Sequence, residues 1–298
     1  MGKNIIRIDL SKGEMSHITH PGVKLKGKDK FKKLYHYTSF DTFLKILFSK
    51  KLKYGEPINV NDIFEANKTM LAENPCQLPL LFALKETINS YKQLSFTMDY
   101  DSMLKGCMSN AMWYHYGNKR KGVCIEFDYD KLKLPSRSYQ SQIYYKYLLK
   151  NNLILPKEAT TINDVEKYVV KNIKHIFFEK TKDWKYENEY RIVCQGQEYL
   201  DITGAISSVY FTNCDSEYVK VVEMISEGEF PIRYITSMTE NGELTPIDYG
   251  TESMRLKYES IDEKNKGKVS LMQQAQEFYE VNKSDKNKPL LIHKYKMG

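Results

Sequence analysis

Long hydrophobic runs are missing from this sequence of 298 residues. No apolar stretch approaches the roughly 18 residues that a membrane-spanning helix needs. Residues 1–10 also contain no apolar segment of signal-peptide length. The sequence therefore predicts a protein that does not enter membranes and that resides by default in the cytoplasm.

Paired cysteines are absent as well. The five cysteines are an odd number, and no C-x-x-C pair occurs among them. Zinc knuckles and small disulfide scaffolds require paired, closely spaced cysteines. Two of the five lie inside apolar segments, where a reduced thiol behaves as a small hydrophobic side chain. We interpret all five as buried or incidental thiols: Cys76, Cys107, Cys124, Cys194 and Cys214.

Several common enzyme motifs do not occur. The sequence has no G-x-x-x-x-G-K-[ST], G-x-G-x-x-G, H-E-x-x-H or G-x-S-x-G pattern. These patterns provide phosphate-binding loops, dinucleotide-binding turns, zinc ligands and nucleophilic serines. Their absence argues against ATP-driven, Rossmann-type and serine-hydrolase activities.

The net charge of +7 is concentrated at the two ends of the chain. Residues 1–35 contain nine Lys or Arg against three Asp or Glu, and residues 251–298 contain ten against seven. Residues 36–250 contain 26 against 28 and are nearly neutral. The charge therefore does not identify a nucleic-acid-binding core, although a basic arm can steer a polyanion.

Composition divides the chain into three parts. Residues 1–33 mix Lys, Gly, Ser and His without a sustained period, which predicts a basic N-terminal arm. Residues 34–250 carry the periodic apolar patterns of one α+β domain, with a twisted, mostly antiparallel sheet flanked by helices. Residues 251–298 are rich in Lys and Asn and are predicted to be a C-terminal appendage.

Apolar periodicity predicts the individual elements of the central part. The predicted strands cover residues 34–39, 52–54, 93–98, 122–128, 184–194, 206–211 and 231–235, with an edge strand at 141–145. The predicted helices cover residues 40–50, most of 64–91, 110–117, 162–182 and 218–225.

A histidine between two tyrosines immediately precedes the first predicted helix. On a strand, the side chain of His36 points away from those of Tyr35 and Tyr37. A position just ahead of a helix N-terminus suits a donor that is directed at an anionic group. Both a core histidine and a functional histidine agree with this pattern.

The loop that contains residues 61–65 has two open interpretations. Asn61 or Asp62 can cap the following helix, with Glu65 as the second carboxylate of a capping box. Alternatively, Asp62 and Glu65 can ligate a metal ion, for which a third nearby ligand would be needed.

Three charged residues alternate along the strand predicted for 184–194. Glu187, Glu189 and Arg191 would share one face, with the carboxylates about 6–7 Å apart. Two such carboxylates raise each other's pKa unless a cation intervenes, and Arg191 supplies one. Trp184 and two tyrosines flank the group, so a functional role and a structural role are equally open.

An aromatic cluster at residues 112–117 is followed by three consecutive basic residues. For Trp113 we expect packing in the core. For His115 and Tyr116, stacking on a ligand or hydrogen bonding to it is an equally good interpretation.

Together, these four segments resemble the bacterial domain-of-unknown-function family 2971 (DUF2971). The resemblance spans about residues 34–230 and starts with Leu-Tyr-His-Tyr-Thr-Ser. It includes Gly-Val-Cys-Ile-Glu-Phe-Asp and Trp-x-Tyr-Glu-x-Glu-Tyr-Arg, in the family's order. One position departs from the family pattern, because Ile63 stands where Pro is usual.

The opening segment also resembles, more weakly, the ADP-ribosyltransferase superfamily, whose members bind NAD in a cleft between two small sheets. The resemblance implies that His36 hydrogen-bonds the nicotinamide ribose and that Tyr116 or Trp113 stacks on the nicotinamide. Glu189 or Glu187 would stabilise the oxocarbenium-like centre and position the acceptor. The implied NAD-binding set also includes Tyr37, Thr38 and Arg191, with NAD as a substrate and no metal expected.

We therefore expect an NAD-consuming, ADP-ribosyltransferase-like enzyme of the toxin or phage-defence kind, acting on nucleic acid or protein. Breaking a glycosidic bond to a good leaving group depends mainly on orientation and charge stabilisation. One alternative is a metal-dependent nuclease that uses Asp62, Glu65, Glu187 and Glu189. The other is a non-catalytic module whose aromatic pocket binds a nucleotide or an RNA base.

Overall fold

The computed structural model describes residues 4–9, 17–19, 33–58, 60–101, 104–212, 216–236 and 245–248. The predicted C-terminal appendage, Cys214 and most of the predicted N-terminal arm lie outside these residues. Among the helices that are described, none combines the length and the hydropathy needed to cross a membrane.

The described elements are numbered in chain order. The strands are β1 (Asn4–Asp9), β2 (His17–Thr19), β3 (Lys33–Thr38), β4 (Lys51–Lys53), β5 (Thr69–Ala72), β6 (Tyr91–Thr97), β7 (Val123–Asp128), β8 (Arg137–Gln142), β9 (Tyr144–Lys146), β10 (Asn152–Leu155), β11 (Glu179–Thr181), β12 (Glu189–Gln195), β13 (Tyr199–Asp201), β14 (Ile206–Phe211), β15 (Ile232–Thr236) and β16 (Thr245–Asp248). The helices are α1 (Phe40–Ser49), α2 (Ile63–Ala66), α3 (Leu78–Asn89), α4 (Asn110–His115), α5 (Ile162–Lys171), α6 (Ile173–Phe177) and α7 (Ser216–Ser226). Short 3₁₀ helices cover Pro75–Gln77, Gly106–Met108, Tyr129–Lys131 and Lys182–Glu187.

Ten strands form one sheet in the order β16-β15-β14-β7-β3-β6-β12-β8-β1-β2. Neighbouring strands run antiparallel except for β1 with β8 and β14 with β15. Three further pairs, β5–β10, β9–β11 and β4–β13, form small sheets of their own. The predicted α+β class with a mostly antiparallel sheet is thus confirmed.

The large sheet opens in its middle. β3 pairs with β7 along its whole length, from Lys33↔Asp128 to Thr38↔Val123. Over the described length of both strands, β3 pairs with β6 at Tyr35↔Thr97 alone. The half that contains β7 and β3 and the half that contains β6 and β12 therefore diverge from this one pair, and a notch opens between them.

Buried apolar side chains pack on both faces of the sheet in three clusters. Helices α1 and α7 cover the first cluster, which includes Phe43, Leu47, Phe127, Phe211 and Val222. Helices α3, α5 and α6 cover the second, which includes Leu84, Val165, Val169, Phe177 and Val193. The third surrounds Tyr37, Trp113, Cys124 and Tyr210. Coverage on both faces explains why residues 123–127 of β7 are all buried, although Glu126 is charged.

Helix α1 and its cap agree with the prediction. The side chain of Ser39 accepts a hydrogen bond from the backbone N–H of Thr42 at 3.3 Å, which caps the helix N-terminus. The helix ends at Lys50, which adopts a left-handed conformation with φ of 52°. Phe40, Phe43, Ile46 and Leu47 are buried on one side of the helix.

Two predicted helices are wrong in part. The helix predicted for residues 162–182 ends at Asn172, restarts as the short α6 and gives way to β11. The helical prediction for residues 64–91 missed β5. Both missed strands pair with distant segments, β11 with β9 and β5 with β10, and such pairing leaves no local apolar period.

The strand predictions also need two corrections. Residues 182–187 form a 3₁₀ helix, and the strand predicted from residue 184 begins only at Glu189. Asn188, at φ of 44°, makes the turn between them. Glu187 therefore does not share a strand face with Glu189. The predicted edge strand at 141–145 is divided between β8, which lies inside the large sheet, and β9.

Candidate functional site

The notch between β3 and β6 contains a cavity of about 300 Å³. Its lining includes residues 35–37 of β3, residues 93–97 of β6, Asn61, Met112, Tyr116, Lys180, Glu187, Glu189 and Arg191. The pocket exists because two strands that are paired only once cannot fill the space between them. This volume is at the lower end of the range for small-molecule sites.

His36 is half-buried on the β3 wall of the pocket. Its Nδ1 lies 3.2 Å from the carbonyl oxygen of Ser95, and its ring contacts Phe96 edge-on. Burial lowers the pKa of His36, so the ring is neutral at pH 7. Because a carbonyl can only accept, Nδ1 carries the proton, and Nε2 keeps a lone pair that can accept a hydrogen bond.

Glu187 is held from two sides at the opposite wall. The hydroxyl of Tyr116 donates a hydrogen bond to Oε1, and Nζ of Lys180 lies 2.6 Å from Oε2. Asn61 donates to the same hydroxyl oxygen of Tyr116 at 3.1 Å. Burial raises the pKa of Glu187, and repulsion by Glu189 adds to the rise, although Lys180 opposes it.

Glu189 and Arg191 form a buried pair with two parallel contacts. Nε and Nη2 of Arg191 donate to the two carboxylate oxygens of Glu189 at 2.7 and 3.0 Å. Nη1 of Arg191 donates to Glu65 and, at 2.6 Å, to the carbonyl of Phe177. Arg191 is completely inaccessible to solvent. Its bonds to Glu65 join helix α2 to the large sheet.

Lys180 completes this group of charges. Its Nζ lies 2.6 Å from Glu187, 2.7 Å from Glu189 and 3.8 Å from Glu65. We refer to Glu65, Lys180, Glu187, Glu189 and Arg191 as the charge cluster. Three carboxylates face two cations in it, so one negative charge is in excess when all five are ionised.

The two glutamates of the site have opposite pKa shifts. Burial opposes ionisation of Glu189, but Arg191 and Lys180 outweigh it and hold its pKa well below the usual range. Burial would lower the pKa of Lys180, but Glu189, Glu65 and Glu187 raise it above its ordinary value. Glu189 is therefore anionic at all moderate pH values, whereas Glu187 exchanges its proton more readily.

The structure brings most of the predicted site residues to this one pocket. His36, Tyr37, Tyr116, Glu187, Glu189 and Arg191 all line it. Thr38 and Trp113 are not among the lining residues. The indole of Trp113 is buried, donates to the carbonyl of Cys107 at 2.7 Å and contacts Tyr37 edge-on, which agrees with the expected packing in the core.

Glu65 and Lys180 were not identified from the sequence as partners of Arg191 or Glu189. The prediction that Asp62 caps a helix is confirmed, since its side chain accepts from the N–H of Phe64 at 2.9 Å. Glu65 does not complete a capping box and instead pairs with Arg191. Lys180 lies in β11, within the segment predicted as helix, and no local pattern distinguishes it from the surrounding lysines.

A metal site built from these carboxylates finds no support in the geometry. Among the described residues, no group of three or more His, Cys, Asp or Glu side chains could hold a metal ion. The carboxylates of Glu65, Glu187 and Glu189 contact Lys180 or Arg191 instead.

Comparison with known proteins identifies one family. Residues 112–192 match the model of a family described as "Protein of unknown function (DUF2971)". The match confirms the resemblance to DUF2971 over a segment that includes Tyr116, Lys180, Glu187, Glu189 and Arg191. No curated protein and no solved structure matches this chain.

Proposed function

We propose that this chain is an NAD-consuming, ADP-ribosyltransferase-like enzyme. The observation that carries the proposal is that His36, Tyr116, Glu187 and Glu189 line one pocket between two diverging halves of a sheet. A cleft of this kind, with a histidine on one wall and a glutamate on the other, is what the resemblance to that superfamily implies. On the same grounds, the proposal includes that the fold is ADP-ribosyltransferase-like.

The size of the pocket suits one end of NAD better than the whole molecule. A cavity of about 300 Å³ accommodates a compact group such as the nicotinamide and its ribose. Nε2 of His36 would then accept a hydrogen bond from a ribose hydroxyl. The phenol ring of Tyr116, on the opposite wall, would contact the nicotinamide, and the rest of the dinucleotide would extend over the rim.

The charge of the pocket suits the chemical step. When the bond between C1′ of the ribose and the nicotinamide nitrogen breaks, the electron pair leaves with neutral nicotinamide and the ribose becomes cationic. The charge cluster has one carboxylate in excess, so its field favours a cation. Preorganised charge directed at a developing charge is an effective form of catalysis.

The opposite pKa shifts of the two glutamates suggest different roles for them. Glu189 stays ionised and would stabilise the oxocarbenium-like centre. Glu187, whose pKa burial raises, would accept the proton that the acceptor nucleophile loses as it bonds to C1′. Tyr116 would orient Glu187 through its hydroxyl.

The test is release of nicotinamide from NAD by the purified chain, with and without cell lysate as a source of acceptor. We expect Glu189→Gln to lower the rate about 10²–10³-fold, the usual cost of removing one electrostatic stabiliser. Glu187→Gln should lower transfer to the acceptor by at least about 10²-fold. Folding of each variant is checked by its thermal transition.

Glu126→Gln is the matched control. Glu126 is also a buried glutamate in the large sheet, where the hydroxyl of Tyr210 donates to it at 2.6 Å, but it does not line the pocket. The rate of nicotinamide release by Glu126→Gln should stay within a few-fold of the wild-type rate. A folded wild-type chain that neither binds NAD nor releases nicotinamide would refute the proposal.

A further inference from the structure

Four aromatic rings form a row at the rim of the pocket. The ring centroids of Trp184 and Tyr186 are 6.1 Å apart, those of Tyr186 and His115 are 5.7 Å apart, and those of His115 and Tyr114 are 5.6 Å apart. We call these residues the ring row. The next residues along the chain, Tyr116 after His115 and Glu187 after Tyr186, line the pocket, so the row borders its opening.

The ring row is accessible from solvent. Tyr114 is 56% exposed and His115 is exposed, while Trp184 and Tyr186 are half-buried. Only the exposed part of each ring is available for stacking. Tyr186 also packs against the third core cluster, but the exposure of Tyr114 and His115 is not explained by packing in the core.

Three lysines lie along the same row. Lys182 and Lys185 belong to the 3₁₀ helix that carries Trp184 and Tyr186. The backbone N–H of Lys119 donates to the carbonyl of Tyr114 at 3.2 Å, which places Lys119 at the other end. Across the described part of the chain, none of the three forms an ion pair with a carboxylate. Lys119 and Lys185 are exposed, whereas Lys182 is half-buried and its Nζ lies 3.5 Å from the ring centroid of Tyr147.

We propose that the ring row binds single-stranded nucleic acid and holds it as the acceptor of the reaction, an acceptor role that rests on the proposed function. Bases stack on aromatic side chains and lysines contact the phosphates in sites of this kind. The spacing of 5.6–6.1 Å between centroids exceeds the 3.4 Å rise per nucleotide of duplex DNA. An extended single strand meets this spacing, whereas a duplex keeps its base faces covered.

The acceptor atom would then lie next to the catalytic groups. A base or sugar hydroxyl bound beside Tyr186 is adjacent to Glu187, the residue proposed to accept its proton. The bond that forms joins C1′ of the ADP-ribose to a nitrogen or oxygen of the strand. The proton displaced from that atom passes to Glu187, and nicotinamide carries away the electron pair of the broken bond.

Calorimetric titration of the full chain with a single-stranded oligonucleotide of about twelve thymidines tests the proposal without NAD. We expect saturable binding whose affinity falls between about 50 and 200 mM salt, with a log–log slope near −2 for three phosphate contacts. His115→Ala and Tyr114→Ala should each weaken binding about fivefold or more, as loss of one stacked base does. Lys182→Gln and Lys185→Gln should each reduce the slope by about 0.7.

Matched controls lie on α3. Phe82 is 75% exposed and Lys85 is exposed on the same helix, and neither belongs to the ring row. Phe82→Ala and Lys85→Gln should leave affinity and slope unchanged. Equal affinity for the corresponding duplex or for polyglutamate, or unchanged binding in both His115→Ala and Tyr114→Ala, would overturn the proposal.

Failure of this inference and failure of the proposed function give different results. Nicotinamide release with no oligonucleotide binding would refute the ring row as an acceptor site and leave the NAD chemistry intact. Oligonucleotide binding that depends on the ring row, in a chain that never consumes NAD, would refute the acceptor role but not the surface itself. Labelled ADP-ribose on the oligonucleotide would support both.

Discussion

Arg191 carries the largest number of contacts in the charge cluster, and its removal would leave buried carboxylates without a cation. It bonds both oxygens of Glu189 and also reaches Glu65. Removing one member of a buried ion pair costs about 3–5 kcal/mol, because the remaining charge is desolvated and unpaired.

We therefore expect Arg191→Met to lower the free energy of unfolding by about 3–5 kcal/mol in urea titrations. Arg137→Met is the control, because Arg137 is exposed on the neighbouring strand β8 and should change stability by less than about 0.5 kcal/mol. Similar losses in both variants would mean that the charge cluster does not hold the large sheet and helix α2 together.

Glu189 should make the stability of the chain sensitive to acid. Its folded-state pKa is held below that of the unfolded chain, which is about 4.3 for glutamate. The stabilisation is complete above about pH 4.3 and is lost as the pH falls towards the folded pKa. The stability difference between the wild type and Glu189→Gln should therefore be large at pH 7 and shrink at pH 3–4 in urea titrations. A stability difference that stays the same between pH 7 and pH 3 would contradict this expectation.

Glu187 should control the pH dependence of activity instead. Its pKa is raised, so the ionised base forms only as the pH rises above the usual glutamate range. We expect ADP-ribose transfer to increase with pH in that range for the wild type and for Glu189→Gln, though at a lower rate in the latter. Glu187→Gln should show no such increase. The same rising limb in Glu187→Gln would exclude Glu187 as the base.

Asn188 joins the 3₁₀ helix to β12 and so sets the relative positions of Glu187 and Glu189. It has a φ of 44°, and its side chain donates to the carbonyls of Met98 and Asp99 at 3.2 and 2.9 Å. Asn tolerates this left-handed conformation better than most residues. A pure period-two pattern would have placed both glutamates on one strand face, so this residue is where the sequence pattern and the structure diverge.

Two substitutions separate the conformational role of Asn188 from its hydrogen bonds. Asn188→Gly removes the side-chain bonds but accepts the positive φ, whereas Asn188→Ala loses both advantages. We expect Asn188→Ala to be less stable than Asn188→Gly by about 1 kcal/mol in thermal unfolding. Equal stability of the two variants would show that the hydrogen bonds alone matter.

Elements with local signals were predictable, and elements defined by distant partners were not. The apolar spacing and the Ser39 cap define α1, and the apolar residues on either side of Glu126 define β7. β5 and β11 are three or four residues long and exist through pairing with β10 and β9. Lys180 was missed for that reason, because its role follows from the position of β11.

The pocket itself belongs to the whole molecule. The motifs around His36, Tyr116 and Glu187 could be recognised in the sequence, but their meeting depends on the single Tyr35↔Thr97 pair between the two sheet halves. The pairing of β3 with β6, rather than with another strand, is a property of the complete sheet order. No window of sequence contains that information.

A ligand in this pocket touches both halves of the sheet and should therefore couple them. At NAD concentrations about 100 times its Kd, the stabilisation is about 2.7 kcal/mol, and amide exchange should slow in β3 and in β6 together. Hydrogen-exchange mass spectrometry checks this. Phe82→Ala should show the same protection as the wild type, because Phe82 lies on α3, away from the pocket lining. Protection confined to one of the two strands would contradict binding in the notch.

The two tryptophans of the chain occupy very different surroundings. Trp113 is 1% exposed in the core, while Trp184 is half-buried in the ring row with Nζ of Lys180 5.5 Å from its ring centroid. The native chain thus carries two optical reporters. Emission from the first follows unfolding, and collisional quenching of the second follows occupancy of the pocket rim, so folding and binding can be recorded separately in one unlabelled sample.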